Sequence, residues 1–191
     1  MEEDIIHRPE GPVNDRPVVG IFTQPLATET MEFDSESSED DGTREYVMAA
    51  YVKFVEMGGG IPVPIDSTLP PKKMEKALDK VNGLLFPGGG QKLMNDDGTP
   101  GEYLLQGLHA YNYAKKLNDK GTYFPVYAVC MGFQMVHLFE ALYDDTLVTG
   151  YFDGRDQPSP NNWIMDPRKT YFYSSFDNTL LERMGKEEIN Y

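Results

Sequence analysis

The sequence predicts an α/β fold: a doubly wound, mostly parallel sheet with helices on both faces. Three observations carry this. Short apolar, β-branched runs at 16–24, 61–65, 81–86 and 123–129 alternate with longer segments of helical periodicity. Strands alternating with helices make a parallel sheet covered on both sides. Glycine clusters close these units, at Gly58-Gly-Gly60 after a helical segment and at Pro87-Gly-Gly-Gly90 after a strand. The chain of 191 residues, 40% of them hydrophobic, is long enough for one substantial core.

Taken in order, residues 1–15 are polar, carry Pro9, Gly11 and Pro12, and read as a tail. Residues 16–191 read as a single domain. Arg16-Pro-Val-Val-Gly-Ile-Phe-Thr-Gln24 is the first buried strand. An acidic loop follows at about 29–42, and Thr43 then caps a helix running to Met57, with Val47, Ala50, Tyr51, Phe54 and Val55 at helical spacing. Ile61-Pro-Val-Pro-Ile65 is extended, and its two prolines suit a strand end or a sheet edge. A helix is predicted over 71–80, a strand over 81–86, a helix over 102–117 and a strand over 123–129. The helix after it covers 131–143, with Met131, Met135, Leu138, Phe139 and Leu142 on one face. The segment 151–170 is rich in Pro, Asn and Asp and reads as loop; 176–184 has helical character.

The net charge of −14 excludes the clustered Lys and Arg that nucleic acid binding requires, and it disfavours anionic membrane surfaces. No apolar run approaches the ~20 residues that span a bilayer. The N-terminal segment shows no basic region followed by an apolar block, so no signal peptide is read there. Asp34-Ser-Glu-Ser-Ser-Glu-Asp-Asp41 has no metal-ligand spacing and reads as a solvated loop; neither a metal nor a cofactor is expected.

The lone cysteine is the most informative residue. Cys130 ends the run Phe124-Pro-Val-Tyr-Ala-Val-Cys130 and is followed at once by a helical sequence, with Ala128 and Gly132 two positions to either side. This is the layout of a nucleophile elbow, in which a strand turns so sharply into a helix that bulk at the flanks would collide. The helix N-terminus offers unpaired N–H groups and a positive dipole end, which favour a thiolate and a neighbouring oxyanion. Both Cys130 and Pro87-Gly-Gly-Gly90 fall at strand C-termini, where parallel sheets bind ligands.

These segments resemble the gamma-glutamyl hydrolase family, folate-polyglutamate-cleaving members of the class I glutamine amidotransferase-like group, whose fold is flavodoxin-like. The matching pieces are Arg16-Pro-Val-Val-Gly-Ile21, Tyr46-Val-Met-Ala-Ala-Tyr-Val-Lys-Phe-Val-Glu56, Val81-Asn-Gly-Leu-Leu-Phe-Pro-Gly-Gly89 and Tyr123-Phe-Pro-Val-Tyr-Ala-Val-Cys-Met-Gly-Phe133. The resemblance implies a cysteine peptidase. Cys130 is the nucleophile, and the backbone N–H groups of Met131 and Gly89 form the oxyanion hole. Tyr46, Gly88, Gly90 and Gln134 line the substrate site. It also implies a small-molecule substrate (a poly-γ-glutamyl folate or γ-glutamyl peptide), a homodimer or larger assembly, and a lysosomal, vacuolar or secreted location.

Three departures from the family pattern stand out. Ala128 replaces the glycine two before the nucleophile, and Gln134 replaces a glutamate four after it, keeping shape but losing charge. The family takes its general base from a histidine in a downstream Trp-His-Pro-Glu motif, which this chain does not contain. Its histidines are His7, His109 and His137. His137 lies a helix rise of about 10 Å from Cys130, out of hydrogen-bond reach. The expectation is a chain inactive for want of its base and a sheet incomplete at the C-terminus, with apolar surface or a sheet edge uncovered. Two alternatives remain open: a non-catalytic relative serving as a binding or structural subunit, and a glutamine amidotransferase subunit.

Overall fold

The computed structural model describes residues 16–26, 44–143, 147 and 158–188. They divide into two compact units, one ending at Leu147 and one formed by residues 158–188. The tail and the acidic loop lie outside the described residues.

The larger unit is built on a four-stranded parallel sheet. Its strands are β1 (Val18–Phe22), β4 (Ile61–Ile65), β5 (Gly83–Phe86) and β6 (Val126–Ala128), in the order β4-β1-β5-β6. Each is followed by a helix except β1, after which a two-stranded antiparallel pair precedes α1. The helices are α1 (Ala49–Met57), α2 (Pro71–Leu78), α3 (Glu102–Asp119) and α4 (Met131–Glu140). The predicted fold class holds. Ile21, Val55 and Leu85 pack with Val19, Tyr51 and Val52 on the α1 side. On the other side Phe22, Leu84 and Phe86 meet Met74 and Leu78 of α2, Leu104 of α3, and Met135 and Leu138 of α4. Phe22, Phe86, Leu104 and Met135 are fully buried, and each contributes roughly 1.5–3 kcal/mol relative to exposure.

Among the described residues β4 lies at one edge of the sheet, a place that suits Pro62 and Pro64, which have no N–H to donate to a neighbour. Among the described residues β6 forms the other edge. Its Tyr127 stacks on Phe54 of α1, ring centroids 5.8 Å apart, and both rings remain about half exposed.

The order of connection creates a switch point. From β1 the chain steps first to β4 on one side and later to β5 on the other, so the crevice at the carboxyl ends of β1 and β5 is the site this topology offers a ligand. Gln24 leaves β1 at that point, and Pro87-Gly88 leaves β5 there.

Two sequence expectations need correcting. The helix expected from Thr43 begins only at Ala49, with Met48 as its N-cap and no side-chain cap bond. In place of its first turns, β3 (Glu45–Tyr46) pairs antiparallel with β2 (Gln24–Pro25), as Gln24↔Tyr46 and Pro25↔Glu45. Tertiary bonds to the Glu45 carboxylate, described below, outweigh the helical periodicity there. Leu142, expected on one face of the helix with Met131, Met135, Leu138 and Phe139, is 83% exposed while those four are buried. The helix stops at Glu140, and Leu142 and Tyr143 take left-handed φ values of 53° and 62°; this leaves Leu142 facing out while Tyr143 packs back against the core.

The smaller unit holds two 3-10 turns, Pro167–Lys169 and Tyr173–Ser175, and helix α5 (Asn178–Met184). Asp177 caps α5 by accepting from the N–H groups of Thr179 and Leu180. Trp163 packs edge-on against Tyr173, and Phe176 against Tyr173 and Phe172.

Candidate active site

Cys130 sits where β6 turns into α4. It is the N-cap of that helix, exposed, with φ 51° and ψ −113°. That is a left-handed conformation in which an L side chain is strained, at a cost of order 1–3 kcal/mol. The neighbours show what enforces it. The Gly132 N–H donates to Pro87 O (3.1 Å) and Val129 O (2.9 Å), and the Val129 N–H donates to Phe86 O (3.1 Å). The start of α4 is therefore pressed onto the end of β5, so close that a side chain on Gly132 would overlap the Phe86 carbonyl. This is the sharp strand-to-helix elbow that the sequence predicts.

Strain at a reactive residue predicts an inverted preference. Glycine normally destabilises an ordered position relative to alanine. At position 130 Cys130→Gly is expected to be about 1 kcal/mol more stable than Cys130→Ala, because only glycine accepts this φ without strain. Chemical denaturation of the two variants measures the difference; alanine equal or better would show that the turn relaxes freely.

The glycine loop lies against the cysteine. A Cβ on Gly88 would stand 3.0 Å from the Cβ of Cys130 and 2.5 Å from the Tyr51 hydroxyl oxygen. Both polar backbone atoms of Gly88 are engaged by side chains. Its N–H donates to the Tyr51 hydroxyl oxygen at 2.7 Å, and its carbonyl accepts from Gln24 Nε2 at 3.0 Å. Gln24 is fully buried, and any side chain on Gly89 would overlap its amide. Tyr46 donates to Gln24 Oε1 at 3.4 Å. Gln91 closes the loop: its N–H meets Met131 Sδ at 3.1 Å, and its amide donates to Pro25 O at 2.8 Å. Gly89 and Gly90 are exposed. The Met131 N–H, first in α4, has no acceptor within the helix.

The structure thus brings Cys130, Met131, Gly88, Gly89 and Tyr46 into one neighbourhood. Gln134 sits one turn along α4, half-buried, its N–H bonded to the Cys130 carbonyl at 3.0 Å. Among the described residues no histidine bonds to Cys130. His109 Nε2 on α3 lies 3.5 Å from Glu75 Oε1, close enough for an ion pair but without hydrogen-bond geometry. His137 is exposed on α4 beside Phe133.

Sequence reading missed Gln24, Tyr51 and Glu45. Gln24 was only the end of a strand and Tyr51 only a helix-face aromatic. Their partners lie 64 and 37 residues away in the chain, so no local signal announces them. Glu45 accepts from the Thr23 hydroxyl, the Ser67 N–H (2.9 Å) and the Ser67 hydroxyl (2.5 Å). This ties β3 to the loop after β4. Burial, aided by nearby Asp66, raises the Glu45 pKa above 4.5 even though the Ser67 bonds favour the ionised form. A raised folded-state pKa gives stability that is full below the unfolded value and is lost as pH rises through the folded value. The stability of the native chain relative to Glu45→Gln should therefore decrease as pH climbs from 4.5 and then level off. Melting curves across that range check this; an increasing difference would contradict it.

A fold and site of this kind point to a known group. The Peptidase C26 family model matches residues 17–149. The chain belongs to that family. It is 29% identical over 184 residues to human gamma-glutamyl hydrolase, covering 96% of this chain and 53% of the relative. Identity is 32% over 181 residues to the Bos taurus gamma-glutamyl hydrolase, covering 95% and 52%, and 29% over 179 residues to Arabidopsis thaliana gamma-glutamyl hydrolase 1, covering 94% and 45%. The chain spans about half the length of the curated relatives it matches. The resemblance read from the elbow and the glycine loop agrees with these matches.

Proposed function

We propose that this chain carries the nucleophile and oxyanion side of a γ-glutamyl hydrolase acting on folate polyglutamates or related γ-glutamyl chains. The observation that carries the reading is the exposed, strained Cys130 at the start of α4, with Gly88 packed against it. The thiolate sulfur attacks the γ-amide carbonyl carbon, and the carbonyl π pair moves to oxygen. The N–H groups of Met131 and Gly89 hold that oxyanion. Its collapse breaks the C–N bond and forms a thioester; the amine leaves with a proton delivered by a general acid, the same group that first took the proton of the Cys130 thiol. Water then attacks the thioester carbonyl and releases Cys130. Tyr46, Gly88, Gly90 and Gln134 line the substrate channel in this reading; at Gln134 recognition is by amide hydrogen bonds rather than charge. The names of the relatives support the substrate class.

Among the described residues neither His109 nor His137 bonds to the thiol, so in this reading neither serves as its proton-transfer base. General acid–base assistance is typically worth about 10²–10⁴ in rate, so on this reading a chain whose thiol has no such partner is a poor amide hydrolase. This favours keeping a second reading, a non-catalytic relative that binds γ-glutamyl chains. An activated substrate separates the two. A γ-glutamyl p-nitrophenyl ester has a leaving group good enough to acylate a thiol without general acid help. The chain should release nitrophenolate in a burst close to one equivalent and gain a γ-glutamyl group on the Cys130 peptide by mass spectrometry. The α-linked ester should react far more slowly, and Cys130→Ala should not react. A γ-linked ester that binds but leaves Cys130 unlabelled would support the binding relative instead.

A further inference from the structure

We propose that Gln24 and Tyr51 are positioning residues: they clamp the two polar atoms of Gly88 and so preset the Gly89 N–H as an oxyanion donor. The proposal rests on Cys130 being the nucleophile. A trans peptide is planar, so the Gly88 carbonyl and the Gly89 N–H point in opposite directions. The carbonyl is held at 3.0 Å by Gln24, which is fully buried, while Gly89 is exposed. The Gly89 N–H therefore leaves on the side away from Gln24. The Gly88 N–H is already taken by Tyr51, and among the described residues the Gly89 N–H is the first donor of the loop with no acceptor.

A peptide between two glycines needs such a clamp more than any other. Neither residue has a Cβ to restrict φ, so rotating the peptide meets little steric resistance. A rotated peptide would present a carbonyl, not an N–H, to the oxyanion. Gln24 is itself oriented: its Oε1 accepts from Tyr46, which leaves Nε2 for Gly88. This gives the buried amide, at the switch point of the sheet, a role that core packing alone does not require. A hydrophobic side chain would fill the space but would leave the Gly88 carbonyl without its donor.

Gln24→Glu tests the clamp, because it keeps the shape and removes the donor until the carboxyl is protonated. Among the described residues the ionisable groups near position 24 include Tyr46 and Glu45 on β3 and Tyr51 on α1, while Tyr103 on α3 feels the charge of Glu45 and Tyr46. All are common to both chains, so each comparison is made with the unmutated chain at the same pH. The probe is a γ-glutamyl aldehyde carrying 13C at the aldehyde carbon. The Cys130 sulfur adds to that carbon, the π pair goes to oxygen, and the proton lost by sulfur ends on the oxygen of the hemithioacetal. Its 13C resonance gives the fraction bound.

At pH 7.5 Gln24→Glu is expected to weaken aldehyde binding by about 10-fold or more, within the effect of losing one oxyanion donor. At pH 5 the protonated carboxyl donates to Gly88 again, and the deficit should shrink to about threefold or less. Iodoacetamide alkylation of Cys130, which builds no oxyanion, should stay within about twofold of the unmutated rate. Tyr51→Phe, which retains the ring, should weaken the aldehyde and leave alkylation unchanged, and it stands in if Gln24→Glu does not fold. Unchanged aldehyde affinity in both variants overturns the clamp, as does a parallel fall in alkylation. A missing hemithioacetal in the unmutated chain overturns the nucleophile reading itself, and the clamp with it.

Discussion

Gly132→Ala is expected to destabilise the larger unit by about 3 kcal/mol, at the upper end of the usual cost of overpacking. At this chain length that lowers the melting temperature by roughly 6–12 °C. The added methyl would overlap the Phe86 carbonyl oxygen and sit 2.6 Å from its carbon and 2.7 Å from the Phe86 Cβ. These atoms belong to a central strand, paired with β1 on one side and β6 on the other, and cannot swing aside as a side chain can. The alternative is for α4 to lift off, which would break the Gly132 bonds to Pro87 and Val129 and move Cys130 away from Gly88. Iodoacetamide reactivity should change along with stability. Gly90→Ala is the control: nothing lies within 4 Å of a Cβ there, and the cost should be within about 0.5 kcal/mol. A Gly132→Ala chain as stable as the control would show that the close approach of α4 to β5 is not required.

Supplying a general base is expected to produce the largest change in activity. The 191-residue chain should hydrolyse a glutamyl-γ-glutamate substrate close to background. A longer product of the same gene, if it carries a Trp-His-Pro-Glu segment, should turn over. General acid–base assistance alone is typically worth about 10²–10⁴ in rate. Because nucleophile and base act as a unit, the combined difference can exceed that. In the longer product Cys130→Ala should remove turnover by a factor of about 10⁴ or more, while the substrate still binds. Efficient amide hydrolysis by the short chain would mean that a base does reach Cys130. His109→Ala and His137→Ala, each assayed in that chain, would then identify it.

Some features were settled by the local sequence because their causes are local. The turn at Cys130 needs only small residues on either side and a helix former after it, and all of these sit within a few positions. The β4 prolines announce an edge strand because proline lacks the N–H that a central strand must donate. The alternation of strand and helix follows from the two periodicities of burial. The family was recognised from four segments, at 16–21, 46–56, 81–89 and 123–133, in their order and spacing along the chain.

Other features were decided only by the tertiary structure, because their partners are distant in the chain. Glu45 and Tyr46 fall within the helix predicted from Thr43, yet they pair with Gln24 and Pro25, and bonds from Thr23 and Ser67 hold the Glu45 carboxyl there. Leu142 fits the apolar stripe of α4 but follows the helix end and faces out. Gln24 reads as a strand terminus, and Tyr51 as one more aromatic on a helix. Their contacts to Gly88 exist because the sheet places the ends of β1 and β5 side by side and lays α1 across that face. A glycine loop is legible as a loop, but the direction its N–H groups take depends on hydrogen bonds that form only once the sheet is assembled.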